Sequence, residues 1–286
     1  MSSSHAFHRM ELLIGAQSLG ALSEISVILF GVGGVGSWCA EALVRSGISN
    51  LTLVDSDLVC VTNINRQVQA TTRTVGCVKV TELAQRLKEI NPDAQVTAIQ
   101  RIYNKESQGD FILSDYDYVI DAIDSLTSKV SLIQSAYNYG ATVFSALGAS
   151  CKLDASRIRT SSIWDSYGCR LGKLVRKRLR RRGFKGDFLC VWSDEVLPVF
   201  PVSSGCGTGD CVCPKQAKGG SDDTLVHEWC SKKKQINGSA VHITSIYGSM
   251  LAGLLIQDVV EKSFSTTQAQ SYDSPSNLKE NRMLNV

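Results

Sequence analysis

The feature that most constrains this chain is an apolar run, ISVILF at 25–30, that passes directly into GVGGVGS at 31–37. A short apolar run ending in glycines suits a buried strand, and the following WCAEALVRSG keeps helical spacing until it stops at Gly47. Strand, tight turn and helix therefore follow one another, with Gly31, Gly33, Gly34 and Gly36 in the turn. Missing side chains let a phosphate approach such a backbone, and unpaired amides at the helix start attract negative charge. A tight turn serving another purpose would use the same glycines.

The rest of the first half repeats this alternation. LTLV at 51–54 reads as a second strand closed by Asp55, 19 residues after Gly36, where a carboxylate can accept hydrogen bonds from ribose hydroxyls. The spacing predicts helices over 75–90 and 128–139 and strands over 95–101, 118–120 and within 141–150. Strands alternating with helices give an α/β fold, a Rossmann-like, mostly parallel sheet flanked by helices, with a smaller C-terminal extension. In that extension 151–163 reads as an antiparallel strand pair around Asp154, 170–182 as a basic helix, and 240–260 as an apolar helix packing back on the sheet. The expected organisation is a helical arm (1–24), a nucleotide-binding core (25–150), a substrate-binding extension (151–262) with a Gly- and Cys-rich loop at 203–223, and a loose tail (263–286).

Composition narrows the class. A 43% hydrophobic and 20% charged chain is ordinary for a soluble globular protein, and no run of 18 uncharged apolar residues suggests a bilayer-spanning helix. The first ten residues carry His5, His8 and Arg9 without an apolar stretch, so secretion is not indicated and the cytosol is the expectation. Ten cysteines are too few for a disulfide framework at this length, and reduced structural thiols are expected. Cys206, Cys211, Cys213 and Cys230 leave three readings open: a cysteine-rich insertion, a redox or catalytic thiol, or a four-thiolate zinc site despite the unusual CxC spacing. The net charge of +3 is uneven: nine Lys or Arg and no acid lie between 170 and 185, so any preference for a polyanion is local.

Polar residues after the second and fourth strands supply candidate chemistry. Asn63, Asn65, Arg66 and Gln67 stand in TNINRQ and Lys79 at the start of the next helix; Arg66 and Lys79 could neutralise a triphosphate and the charge developing on its α-phosphoryl group. Taken singly, each also suits a solvated surface, and the glycines with Asp55 also suit a nicotinamide dehydrogenase. In VIDAIDS, Asp124 could bind Mg²⁺ or orient a leaving pyrophosphate, while Asp121 suits a loop cap.

Taken in order over 25–150, GVGGVGSW, LTLVDSD, VTNINRQ, VGCVKV and VIDAIDS resemble the ThiF/MoeB-type, ubiquitin-activating-like ATP-dependent adenylyltransferases. Within that superfamily DLVCVTNINRQ, SCKLDASRIRT with the basic LGKLVRKRLRRRG, and CVWSDEVLPV with Ser193 and Glu195 are similar to the bacterial and fungal tRNA threonylcarbamoyladenosine dehydratases. The resemblance implies ATP and Mg²⁺ as cofactors, Gly31, Gly33, Gly34, Gly36, Asp55, Asn63, Arg66 and Lys79 as nucleotide-binding residues, and Asp124 as the metal ligand. It implies catalytic roles for Arg66, Lys79, Asp124 and Arg9, the last contributed from the N-terminal helix across a homodimer.

The substrate implied is tRNA carrying N6-threonylcarbamoyladenosine beside the anticodon, its carboxylate adenylylated and then cyclised within the same modification. Ring closure would be intramolecular, so no cysteine nucleophile is required. Lys173, Arg176, Arg180 and Arg181 on the basic helix would contact tRNA phosphates, with Leu171, Leu174, Val175 and Leu179 facing inward. The alternative is adenylylation of the C-terminus of a sulfur-carrier or ubiquitin-like protein, with Cys230 the first candidate thiol. A non-catalytic tRNA-binding protein that keeps the nucleotide fold is a further rival. Fungal relatives associate with mitochondria, which leaves that compartment open.

Overall fold

The computed structural model describes residues 5–198 and 237–272. Helix α1 (His8–Glu24) precedes β1 (Ser26–Phe30), which enters α2 (Gly36–Arg45) through the glycine-rich turn and continues to β2 (Asn50–Val54). There follow α3 (Lys79–Ile90), β3 (Gln95–Ile99), β4 (Tyr118–Asp121), α4 (Leu126–Asn138) and β5 (Thr142–Ala146). The extension adds β6 (Ile158–Ser162), α5 (Arg170–Arg181), β7 (Leu189–Ser193) and α6 (Val241–Tyr272).

The strands form one seven-stranded sheet in the order β3-β2-β1-β4-β5-β7-β6, parallel throughout except for β6 against β7. The chain steps outward from β1 to β3, then returns to place β4 on the other side of β1. Carboxyl ends of strands that diverge in this way border the crevice where open α/β sheets bind ligands. Alternation along β1 divides the core: Val27 and Leu29 face a cluster shared with α2, α3 and α6, while Ile28 and Phe30 face one shared with α4 and α5.

Four local expectations change. Helix α3 starts at Lys79 and not at 75, because Gly76 (φ +89) turns the chain and Val78 pairs with Leu58 in an antiparallel bridge. Residues 151–163 form no strand pair: Asp154 accepts from Ser156 N to cap a single 3-10 turn, and β6 pairs with β7 instead. The stretch Val241–Ser265 is long and apolar enough to cross a membrane, which counting unbroken apolar residues missed. Its Ile243, Tyr247, Leu251, Leu255 and Val259 are buried in the core beside α2. Helix α6 also continues to Tyr272, past the expected tail boundary at 263, since no glycine or proline intervenes before Pro275. Loop 203–223, the four cysteines at 206, 211, 213 and 230, and residues 273–286 lie outside the described residues.

Six described cysteines carry free thiols. Burial pushes the Cys190 thiol up to about 12 and raises that of Cys39, which keeps both protonated and unreactive.

Two polar arrangements fix the carboxyl edge. Lys129 on α4 and Asp121 at the end of β4 pair at 2.6 Å with neither side chain exposed. Ser145 also donates to Asp121 (2.7 Å), as does Ile123 N (3.1 Å), and Lys129 reaches the Ala146 carbonyl (2.9 Å). Further along, residues 151–154 clasp two segments at once. Leu153 N and Asp154 N donate to Glu195 (both 2.9 Å), Lys152 donates to the Ser193 and Glu195 carbonyls (3.0 and 2.8 Å), and Cys151 N donates to the Gly238 carbonyl (2.9 Å). Burial holds the Lys152 ammonium below the ordinary lysine range.

Removing one member of a buried pair leaves an uncompensated charge, at a cost of about 3–5 kcal/mol. Lys129→Met should therefore lower stability by about that much in urea titration, and Asp121→Leu in the same chain should restore part of it. A single-variant loss below about 1 kcal/mol would show that water reaches the site.

Candidate active site

The glycines of the turn divide by role. A Cβ on Gly36 would lie 1.8 Å from the Gly31 carbonyl oxygen, and one on Gly31 (φ +88) would lie 2.8 Å from that of Ala122. These two glycines close the turn. A Cβ on Gly34 would touch the Thr244 methyl (3.2 Å) and Arg66 Cγ (3.3 Å), whereas one on Gly33 would come no nearer than 4.0 Å to any neighbour. Gly33 thus presents bare backbone to open space, and no side chain caps the start of α2. Amides left without a side-chain cap in this way are suited to an anion. The buried Val32 is held from both sides: its N–H donates to Asp55 (2.8 Å) and its carbonyl accepts from Gln69 (2.9 Å).

Lys79 is brought to this turn by the bridge that delays α3. Its backbone N–H donates to the Asp57 carbonyl (3.1 Å) and its ammonium pairs with the Asp57 carboxylate (2.8 Å), with the lysine side chain 6% exposed. Burial opposes the ammonium charge, but Asp55, Asp57 and Asp124 together outweigh it and raise Lys79 above the ordinary lysine range. The same burial raises Asp55 above the usual carboxylate range, against the pull of Lys79. Asp124 is exposed on the loop after β4, within electrostatic reach of that lysine.

The TNINRQ segment lies along the turn. Asn63 is buried and its Oδ1 accepts from Cys60 N (3.0 Å), so it holds this segment in shape. Arg66 lays its stem over Gly34, donates to Thr62 O (2.7 Å) and Asn65 Oδ1 (2.9 Å), and its own carbonyl accepts from the Trp38 indole (2.9 Å). Asn65 in turn donates to the Ser239 carbonyl (2.8 Å), which joins the start of α6 to the site. Gly31, Gly33, Gly34, Gly36, Asp55, Asn63, Arg66, Lys79 and Asp124 therefore gather at one edge. Arg9 stands apart on the exposed side of α1, beside Leu12 and Leu13 (74% and 78% exposed); no hydrogen bond or ion pair joins it to the turn among the described residues.

The sequence reading passed over two residues. Asp57 is the ion-pair partner of Lys79, and Gln69 holds the turn, but both depend on contacts between distant segments. Asp121, read as a loop cap, does accept from Ile123 N, and it also anchors Lys129.

The basic helix α5 keeps Gly172, Val175 and Leu179 inward, while Leu174 is 38% exposed, contrary to its expected inward place. Arg176 is also corrected: it shares the buried side and donates to Ser166 and towards the Ile163 carbonyl, so it is not an outward phosphate contact. Arg178 donates to Thr127 (2.8 Å), and Arg180 stacks over the Trp164 ring at 5.1 Å. Arg170, Lys173, Lys177 and Arg181 form the exposed stripe.

A diverging parallel sheet whose glycine turn leaves its amides uncapped, with a charged lysine among carboxylates at the same edge, is the architecture of nucleotide-binding proteins of the Rossmann type. The ThiF family profile matches residues 7–284, and the chain belongs to that family. The tRNA threonylcarbamoyladenosine dehydratase of Bacillus subtilis (strain 168) is 33% identical over 257 residues, covering 90% of this chain and 95% of that protein. Crystal structures of E. coli tRNA N6-threonylcarbamoyladenosine dehydratase, TcdA, in complex with AMP and with ATP superpose with TM-scores of 0.73 and 0.72. Their identities are 29% and 28%, and each comparison covers 93% of this chain and 96% of that one.

The glycine geometry separates folding from binding. Gly33→Ala should leave the thermal transition nearly unchanged while weakening ATP binding about tenfold or more, ~1.4 kcal/mol. Gly36→Ala should fail to give a folded chain. Calorimetric titration and thermal melting distinguish the two, and a Gly36→Ala protein that melts like the parent would contradict this turn.

Proposed function

We propose that this chain is an ATP-dependent dehydratase of N6-threonylcarbamoyladenosine in tRNA, acting through an acyl adenylate. The observation that carries the reading is a charged Lys79 among Asp55, Asp57 and Asp124 at the same sheet edge as the uncapped glycine turn, where Arg66 packs on Gly34. Similarity to dehydratases over nine-tenths of the chain supports it.

A carboxylate oxygen is a poor leaving group, so the threonyl carboxylate first attacks the α-phosphorus of ATP and pyrophosphate departs. Negative charge gathers on the phosphoryl oxygens during that step. Lys79, kept protonated by its three carboxylate neighbours, and the Arg66 guanidinium beside Gly34 answer that charge. The Gly33 backbone and the α2 N-terminus receive phosphates, and Asp55 takes the ribose hydroxyls. A nucleophilic group of the same modification then closes onto the activated carbonyl and AMP leaves, with proximity supplying much of the rate.

Asp124 suits Mg²⁺: it is an exposed carboxylate at the phosphate end, and Mg²⁺ commonly takes one or two carboxylates together with phosphate oxygens. The ion would supply charge neutralisation on the phosphates. A homodimer is part of the proposal, with Leu12 and Leu13 buried against a second copy and Arg9 delivered to that copy's site.

Incubation with ATP, Mg²⁺ and tRNA bearing the modification, followed by nucleoside mass spectrometry, should show loss of one water that depends on ATP. Asp124→Ala should reduce this by about 10³-fold or more without changing the fold. An unchanged nucleoside together with pyrophosphate exchange on a carrier protein would defeat the proposal.

A further inference from the structure

Helix α5 connects the two edges of the sheet. Its first turn packs at the carboxyl end of β5, where a Cβ on Gly172 would lie 2.7 Å from Leu147 Cδ1. Its last residues lead to Phe184, whose ring meets that of Tyr137 near the end of α4, at 4.9 Å between centroids. Its 12 residues cover roughly 18 Å at ~1.5 Å each. The exposed stripe of Arg170, Lys173, Lys177 and Arg181 therefore runs from the catalytic edge to the opposite one.

At that far end a cavity of about 300 Å³ opens between α4, the amino ends of β5 and β7 and the segment after α5. Tyr137 offers it an exposed ring (46%), backed by the buried Phe184 and Phe188, and Asp187 and Asp258 add carboxylates. Asp187 accepts from Ser162 and Phe188 N through Oδ1 (2.6 and 2.8 Å). Asp258 accepts from Tyr118 and pairs with Lys262 through Oδ2 (2.6 and 2.7 Å). The described bonds thus use a single oxygen of each. Arg181, Arg182 and Lys185 are exposed beside the residues that form the wall.

An exposed tyrosine ring suits stacking by a flat ring, and a carboxylate oxygen accepts from an exocyclic amino group such as that of cytosine. The surrounding cations disfavour a small organic cation and favour a neutral ring carried on an anionic backbone. We propose that this cavity is a subsite for one unpaired, amino-bearing nucleobase of the substrate RNA, several nucleotides from the reacting one, with the intervening phosphates on the α5 stripe. The inference rests on the tRNA reading above. None of the cavity residues belongs to the adenylylation site.

The test uses the full chain and an anticodon stem-loop RNA carrying threonylcarbamoyladenosine, with an abasic site placed at each loop position in turn. Base removal at one position away from the modified adenosine should weaken binding about tenfold. Tyr137→Ala should weaken the intact RNA to the same extent and add nothing to that abasic RNA. Ala141→Phe, which fills the cavity from its wall, should do likewise; ATP affinity and melting temperature report whether each variant is folded. Neutralising Lys173, Lys177 and Arg181 should instead flatten the salt dependence of binding for every RNA. If both cavity variants bind each RNA as the parent does, or if their losses add to the abasic loss, the subsite is refuted and the tRNA reading stands. Failure of the parent chain to bind any RNA at low salt would remove both.

Discussion

The site depends on an ion pair that has no access to water. Burying Lys129 against Asp121 is not in itself a source of stability, because desolvating two charges offsets most of their attraction. What the pair contributes is placement. It ties the end of β4 to the start of α4 and, through Ser145 and Ala146, to the end of β5. Asp121 also receives Ile123 N, which turns the chain so that Ala122 backs onto Gly31. The glycine turn and the loop bearing Asp124 thus share one support.

Around that support the charges find their partners within the protein itself. Lys79 is held by Asp57 and surrounded by Asp55 and Asp124, so without nucleotide its charge is already balanced. Asp55 meanwhile serves the protein, holding Val32 N, although its position at the end of β2 suits a ribose.

Much of this was legible in the sequence because it is local. Glycines at the end of a strand, the aspartate closing β2 and the alternation of periods each report on a few neighbouring residues. They gave the parallel sheet, the turn and the edge at which the site lies. Contacts between segments remote in sequence were not legible. The Leu58–Val78 bridge moved the start of α3 and selected Asp57 as the partner of Lys79. The inward turn of Arg176 depends on Ser166, ten residues away, and not on the helical pattern of charge. Likewise α6 has the composition of a spanning segment, and only its packing beside α2 identifies it as core.

The clasp at 151–154 holds Glu195 on one side and Gly238 on the other. The chain that leaves after the first and returns before the second therefore has its two ends pinned by the folded body. A change at any one of residues 151–154 is therefore felt at both places at once, so this short stretch couples the end of β7 to the approach to α6.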